Sequence, residues 1–200
     1  MASGHYFDAD PAVASRPSSV ELRLPDATVE LRSDRGVFAA GRVDPGTMLL
    51  LREAPPPPAG GTLLDLGCGY GPIACTIARR APGADVWALD VNTRARQLAQ
   101  ANAAALGLAN VHVADPCEVD PGTRFDGMWS NPPIRIGKAG LHTLLDTWLV
   151  RLEPTASAWL VVQRHLGADS LAAWMAGRGW TVTRVTSKQG YRLLRVEARA

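Results

Sequence analysis

Three aspartates and an asparagine each follow directly on a short apolar run: Leu63-Leu64-Asp65, Trp87-Ala88-Leu89-Asp90, Val111-His112-Val113-Ala114-Asp115 and Met128-Trp129-Ser130-Asn131. Such runs read as buried parallel strands, and in an open parallel sheet ligands bind beyond the carboxyl ends of the strands. Asp65 leads into Gly67-Cys68-Gly69-Tyr70-Gly71-Pro72, a glycine turn that hands a strand over to a helix. Its G-x-G-x-G spacing is not the G-x-G-x-x-G of a dinucleotide site. The acid two residues before the first glycine repels a phosphate but suits a cation such as a sulfonium or ammonium group. Glycine at 67, 69 and 71 allows positive φ and a ligand lying against the backbone. A tight turn without a ligand is the alternative reading, and any one of the acids taken singly also reads as a helix cap. Capping does not explain four in register around one turn.

Taken together the strand ends outline S-adenosylmethionine. Asp90 can accept from the ribose hydroxyls, Asp115 from an adenine amino group, and Asp65 with the glycine turn faces the amino-acid end. The fourth strand ends in Ser130-Asn131-Pro132-Pro133-Ile134. A proline-stiffened turn is one reading of it; the other is chemical. An exocyclic amine on a base is a poor nucleophile because its lone pair is delocalised into the ring. If the Asn131 side-chain oxygen and the Pro132 carbonyl each accept one N–H, the nitrogen pyramidalises and its lone pair turns toward a methyl donor. Pro132 and Pro133 hold that carbonyl in place. The proton can leave after transfer, so no general base is required.

The elements that position these residues follow from hydrophobic period. Residues 1–19 read as an extended arm broken by Pro11 and Pro17; Val20–Leu24 and Thr28–Leu31 alternate about a Pro25-Asp26 turn and predict a hairpin. Asp44-Pro45-Gly46-Thr47 opens a short helix over 48–53 that the prolines at 55–58 must end. From residue 62 strands and helices alternate: strands at 62–66, 85–89, 111–114, 125–130 and 157–163, and helices at 72–80, 93–106, 139–151 and 168–177. This is the pattern of a parallel sheet covered on both faces. Segments 180–186 and 191–197 close it as an antiparallel pair.

The totals fit one globular α/β domain with a full core: 200 residues, 46% hydrophobic, net charge +2. No signal-like or membrane-spanning run stands out, so a soluble cytoplasmic protein is expected. The three cysteines lack C-x-x-C spacing and the four histidines lack metal spacing, so no metal site is expected. Weak basicity permits a polyanionic partner without demanding one.

Asp65–Pro72, Asp90-Val91-Asn92 and Asn131-Pro-Pro-Ile-Arg-Ile-Gly-Lys138 resemble the class I S-adenosylmethionine-dependent methyltransferases, and within them the small-domain group that includes 16S ribosomal RNA guanine-N2 methyltransferases. His5-Tyr6-Phe7, the hairpin, Gly36-Val37-Phe38, Asp44–Thr47 and Lys188–Tyr191 are similar to the segments that flank the domain in single-domain bacterial members. The resemblance implies a Rossmann-like seven-stranded sheet with a reversed last strand. It implies an arm, hairpin and short helix over residues 1–58 packed on a methyltransferase domain over 59–200. Cofactor contacts are expected at Asp65, Gly67, Cys68, Gly69, Asp90, Val91, Asp115, Pro116 and Asn131; the target amine is expected at Asn131, Pro132 and Pro133, with substrate contacts at Phe38, Ile134, Arg135 and Lys138.

Three departures carry weight. Well-known members hold two such domains and this chain one, which leaves the hairpin arm to replace part of the RNA-binding role. Pro116 lacks the backbone N–H that commonly meets an adenine ring nitrogen, a bond of about 0.5–1.5 kcal/mol net. Ile134 stands where many base methyltransferases have an aromatic residue, so stacking must come from Phe38, Trp129 or Tyr70, each of which also reads as core or pocket lining. Arg35, Arg135, Lys138, Arg164, Lys188 and Arg192 are candidates for RNA phosphates or a solvated face.

The expected activity is methyl transfer from S-adenosylmethionine to the N2 amine of a guanine in small-subunit ribosomal RNA, with that RNA or the small ribosomal subunit as partner. The alternatives are methylation of another amine, such as a protein glutamine amide, and a non-catalytic cofactor-binding ribosome assembly factor. A nicotinamide oxidoreductase fits least.

Overall fold

The computed structural model describes residues 13–198. His5-Tyr6-Phe7 and most of the expected extended arm lie outside the described residues. A hairpin comes first: β1 (Ser18–Arg23) pairs antiparallel with β2 (Thr28–Ser33). Alternation puts Val20, Leu22, Val29 and Leu31 on one buried face. A lone hairpin is marginal in water, and this one is held by what it covers. Arg80 clamps Asp26 at its tip through two hydrogen bonds of 2.7 and 2.8 Å. Near its other end Asn102 accepts from Arg32 N (2.7 Å) and donates to Arg32 O (2.9 Å).

Seven strands form the main sheet: β3 (Gly60–Leu66), β4 (Gly83–Leu89), β5 (Val111–Ala114), β6 (Gly127–Ser130), β7 (Ser157–Gln163), β8 (Thr181–Lys188) and β9 (Tyr191–Glu197). Their order is β5-β4-β3-β6-β7-β9-β8, parallel from β5 to β7, with β9 antiparallel to both neighbours. The expected reversed last strand is therefore inserted between β7 and β8. Among the described residues five α-helices pack around it: α1 (Pro45–Glu53), α2 (Pro72–Arg80), α3 (Thr93–Ala105), α4 (Gly137–Leu149) and α5 (Ala168–Gly177).

Successive strand residues alternate between two cores. Leu63, Val86 and Val161 meet the hairpin leucines, Leu49 and Leu50 of α1, Ile73 and Ile77 of α2 and Ala95 and Ala99 of α3. Leu64, Met128 and Leu160 face the other way, onto Leu141, Leu145 and Trp148 of α4 and Leu171 and Met175 of α5. The hairpin and α1 thus share a core with one face of the sheet; each leucine so buried contributes about 1.5–3 kcal/mol.

Boundaries differ from expectation at two places that bear on function. Helix α1 starts at Pro45, three residues before 48, because the Asp44 side chain accepts from the backbone N–H groups of Gly46 and Thr47 and a proline at the first position needs no partner. The strand expected over 125–130 is shorter, since Phe125 bridges to Leu152 outside β6. Among the described residues no helix is long and apolar enough to cross a membrane, and no three His, Cys, Asp or Glu side chains group as metal ligands.

Candidate active site

The chain crosses from β3 to β4 on one side and from β5 to β6 on the other, and a crevice opens at the carboxyl ends where these crossovers diverge. A cavity of ≈ 410 Å³ fills it, lined among others by Gly67, Gly69, Asp90, Val91, Pro116, Asn131, Pro132 and Pro133.

One half of the cavity is built from the glycine turn. Gly67, Gly69 and Gly71 all have positive φ, and a Cβ added at Gly69 would meet nothing within 4 Å. The Asp90 carboxylate closes the turn, accepting from Gly69 N (2.8 Å) and Asn92 N (2.9 Å). Burial raises its pKa, against the pull of those two N–H groups. Asp65 is wholly buried beneath the turn; one oxygen accepts from Ala74 N (2.8 Å) and the other, Oδ1, has no partner among the described residues. Burial pushes its carboxyl up to about 8, opposed by the Ala74 bond and aided by the Asp90 charge.

The other half is built around Asn131. Ser130 is buried and its hydroxyl donates to the Leu66 carbonyl (2.6 Å), tying the ends of β6 and β3 together. Asn131 Nδ2 donates to Asp44 Oδ2 (2.9 Å) and Thr47 Oγ1 (3.1 Å). Tyr191 OH donates to the other Asp44 oxygen (3.2 Å), and burial together with that carboxylate raises the phenol's pKa, so it stays a donor. Pro133 sits at φ −73°, ψ 75°, an inverse γ-turn in which the Pro132 carbonyl accepts from Ile134 N (2.8 Å). The carbonyl is thereby fixed in direction with one lone pair left.

The segment between the hairpin and α1 arches over both halves. Asn92 Nδ2 donates to Gly36 O (2.9 Å), Arg94 to Arg35 O (2.8 Å) and Tyr70 OH to Arg42 O (2.9 Å). Phe38, Arg42 and Asp44 consequently line the cavity.

Of the residues expected from sequence, the cavity brings together Phe38, Gly67, Gly69, Asp90, Val91, Pro116, Asn131, Pro132, Pro133, Ile134 and Arg135. Four expected residues do not line it. Asp65 and Cys68 are buried, and burial pushes the Cys68 thiol well above its ordinary range. Asp115 accepts from Arg96 (2.9 Å) and Cys117 N (3.0 Å) as the cap of a short 3-10 turn, and Lys138 is exposed. Trp129 and Tyr70 are core residues and offer no stacking face. Lys188 and Arg192 pair with Glu53 and Asp169. Sequence reasoning missed Arg42, Asp44, Gln163, Leu166 and Tyr191 as lining residues. Gln163 was findable, since it too ends a parallel strand.

A family model described as methyltransferase small domain matches residues 28–195. The chain belongs to the methyltransferase small-domain family. It is 32% identical over 198 residues to the uncharacterized protein YbxB of Bacillus subtilis, covering 98% of each chain. It is 40% identical over 179 residues to ribosomal RNA small subunit methyltransferase C of Pseudomonas fluorescens, covering 82% of this chain and 53% of that one. The structure of the T. thermophilus 16S rRNA N2 G1207 methyltransferase RsmC, in complex with AdoMet and guanosine, superposes with a TM-score of 0.76 at 26% identity over 94% of this chain and 52% of that one. The chain thus spans about half the length of the small-subunit methyltransferases it matches.

A methyltransferase small domain takes S-adenosylmethionine as cofactor, and the residues present fit it. The turn offers open backbone at Gly69, and Asp90 keeps free lone pairs on the cavity wall. Gly67, Gly69, Asp90, Val91 and Pro116 are the residues that would hold the cofactor; Pro116 contributes apolar surface and no N–H.

Proposed function

We propose that the chain methylates the exocyclic N2 amine of a guanine in small-subunit ribosomal RNA, using S-adenosylmethionine. The observation that carries this reading is the acceptor pair at the end of β6. Asn131 turns its amide nitrogen away to Asp44 and Thr47, and the Pro132 carbonyl is locked by a γ-turn, beside the same cavity that the glycine turn lines. Two acceptors so fixed take the two N–H groups of a planar amine and draw its lone pair out of ring conjugation. The cofactor, when bound, supplies an electrophilic methyl group on a sulfonium. The amine proton is lost to water after transfer, and no histidine is among the described residues that line the cavity.

The choice of guanine and of 16S RNA is supported by the similarity to RsmC, whose structure holds guanosine, and to the small-subunit methyltransferases. Phe38, Ile136 and Leu166 expose apolar surface at the cavity mouth, where an unstacked base can be covered; Arg42 and Arg135 line the same mouth within reach of its phosphates. The hairpin arm takes part of the RNA-binding role in this reading, and the protein works in the cytoplasm.

The test is transfer of labelled methyl groups to small ribosomal subunits that lack N2-methylguanosine, followed by nucleoside mass spectrometry. N2-methylguanosine as the new product supports the reading. Label on adenine or on ribosomal protein replaces it with another amine, and calorimetric binding of S-adenosylmethionine without transfer to any of these replaces it with an assembly role.

A further inference from the structure

Asn131 can place its amide in two ways that differ by exchange of nitrogen and oxygen, and only one presents an acceptor to the cavity. The choice is made by residues far away in sequence. Asp44 Oδ2 accepts at once from Gly46 N (2.8 Å), Thr47 N (3.2 Å) and Asn131 Nδ2 (2.9 Å), and Thr47 Oγ1 takes the amide nitrogen from a second side (3.1 Å). The flipped amide would set a carbonyl oxygen against a carboxylate oxygen, acceptor on acceptor. With the nitrogen engaged, Asn131 Oδ1 accepts from none of the described residues and is not among the sealed unpaired atoms. It is therefore an open acceptor on a residue that lines the cavity.

The carboxylate is itself held from two sides. It sits as the cap of α1, and Tyr191 OH donates to its Oδ1 (3.2 Å). The Tyr191 ring lies so close over the first turn of α1 that a Cβ on Gly46 would come within 2.6 Å of it. A serine would cap α1 as well as an aspartate does, but it lacks the length to reach either Asn131 or Tyr191. Capping alone leaves both of those contacts unaccounted for.

We propose that Asp44, supported by Thr47 and Tyr191, is a positioning unit that sets the Asn131 amide for catalysis. This rests on the reading above that Asn131 Oδ1 receives the target amine. Variants of the full chain test it, with single-turnover transfer to small ribosomal subunits and calorimetric cofactor binding as readouts. Asp44→Ser keeps the cap, so melting temperature and cofactor affinity stay near wild type, while the transfer rate drops about tenfold or more, as expected for losing one oriented hydrogen bond. Asp44→Asn keeps most of the rate, because its amide oxygen can still accept from Asn131 while its nitrogen donates to the Tyr191 oxygen. Asn131→Asp brings two carboxylates together and is slow; adding Asp44→Ser removes the facing carboxylate while keeping the cap, and recovers part of the lost rate.

Independently of any substrate, NMR of the Asn131 side-chain amide protons reads their protection from exchange, which Asp44→Ser lowers and Asp44→Asn retains. Wild-type rate and amide protection in Asp44→Ser overturn the proposal, as does a double variant no faster than Asn131→Asp. Asn131→Ala separates the two levels. If it transfers normally, the reading of Asn131 falls and the positioning role with it. If it is inactive while Asp44→Ser is normal, only the positioning role falls.

Discussion

The two halves of the cavity are built by opposite means. The cofactor half comes from one stretch of chain: Gly67, Gly69 and Asp90 lie on β3, its turn and the end of β4, and the bond that closes it, Gly69 N to Asp90, spans 21 residues. Its donors are backbone N–H groups, and its shape is that of a glycine turn. The Asn131 half joins Asn131 to Asp44 and Thr47 across 87 and 84 residues, and Tyr191 to Asp44 across 147. Its contacts are between side chains. A methyl donor of constant shape suits a local, backbone-built site; orienting an acceptor for one amine takes a constellation that only the finished fold supplies.

The contrast predicts that variants on the two sides separate binding from rate. Asn131→Ala should lower single-turnover transfer by about 10²–10³-fold, the range for removing one preorganised hydrogen-bonding group, and leave cofactor affinity intact. A normal rate in that variant would erase the division. Asp90→Ala should do the reverse: calorimetry should show affinity weaker by about 1.5–3 kcal/mol, the value of a charge-assisted hydrogen bond, with an unchanged rate at saturating cofactor. Unchanged affinity would mean that the ribose is held elsewhere.

Smaller effects test how the arch over the cavity is mounted. Asn102 bonds Arg32 of the hairpin and also donates to the Tyr70 carbonyl in the glycine turn (2.8 Å), from a buried position. Asn102→Ala should cost about 1–3 kcal/mol in urea denaturation, the penalty for orphaned buried groups; loss within a few tenths would show the hairpin to be held by apolar contact alone. Asp65 gives a pH signature. An unfolded carboxyl titrates near about 3.9, whereas in the fold burial pushes Asp65 up to about 8. Its raised pKa stabilises the folded state fully at low pH, and that contribution is lost as pH rises through about 8. The stability difference between Asp65→Asn and the parent should therefore shift in favour of the variant from pH 5 to pH 8.5; parallel stability curves would argue against a carboxyl protonated in the fold.

Much of this was legible in the chain because it is local. The apolar runs, Asp90 and Asn131 at their ends, Pro72 at a helix start and the hairpin alternation are all set by neighbours within a turn or a strand, and hydrophobic period reports those directly. Asp65 shows the limit of the same logic. It lies within β3 opposite Ala88, two register positions before Asp90, and so sits under the turn and not on the cavity wall. Asp115 is occupied by Arg96 and its own capping turn.

The sequence by itself determined the sheet, the glycine turn and the asparagine that follows β6. The tertiary structure alone decided which way that asparagine faces. Asp44 reads in sequence only as a helix cap, because capping is a local bond; its second duty exists only once α1 is packed beside the end of β6. Tyr191 is hidden for a topological reason. Ligand sites are sought at the carboxyl ends of strands, but β9 runs antiparallel, so its first residue, paired with Gln163 at the end of β7, is the one that reaches the site. No periodicity within β9 can report that reversal, which is fixed by its insertion between β7 and β8.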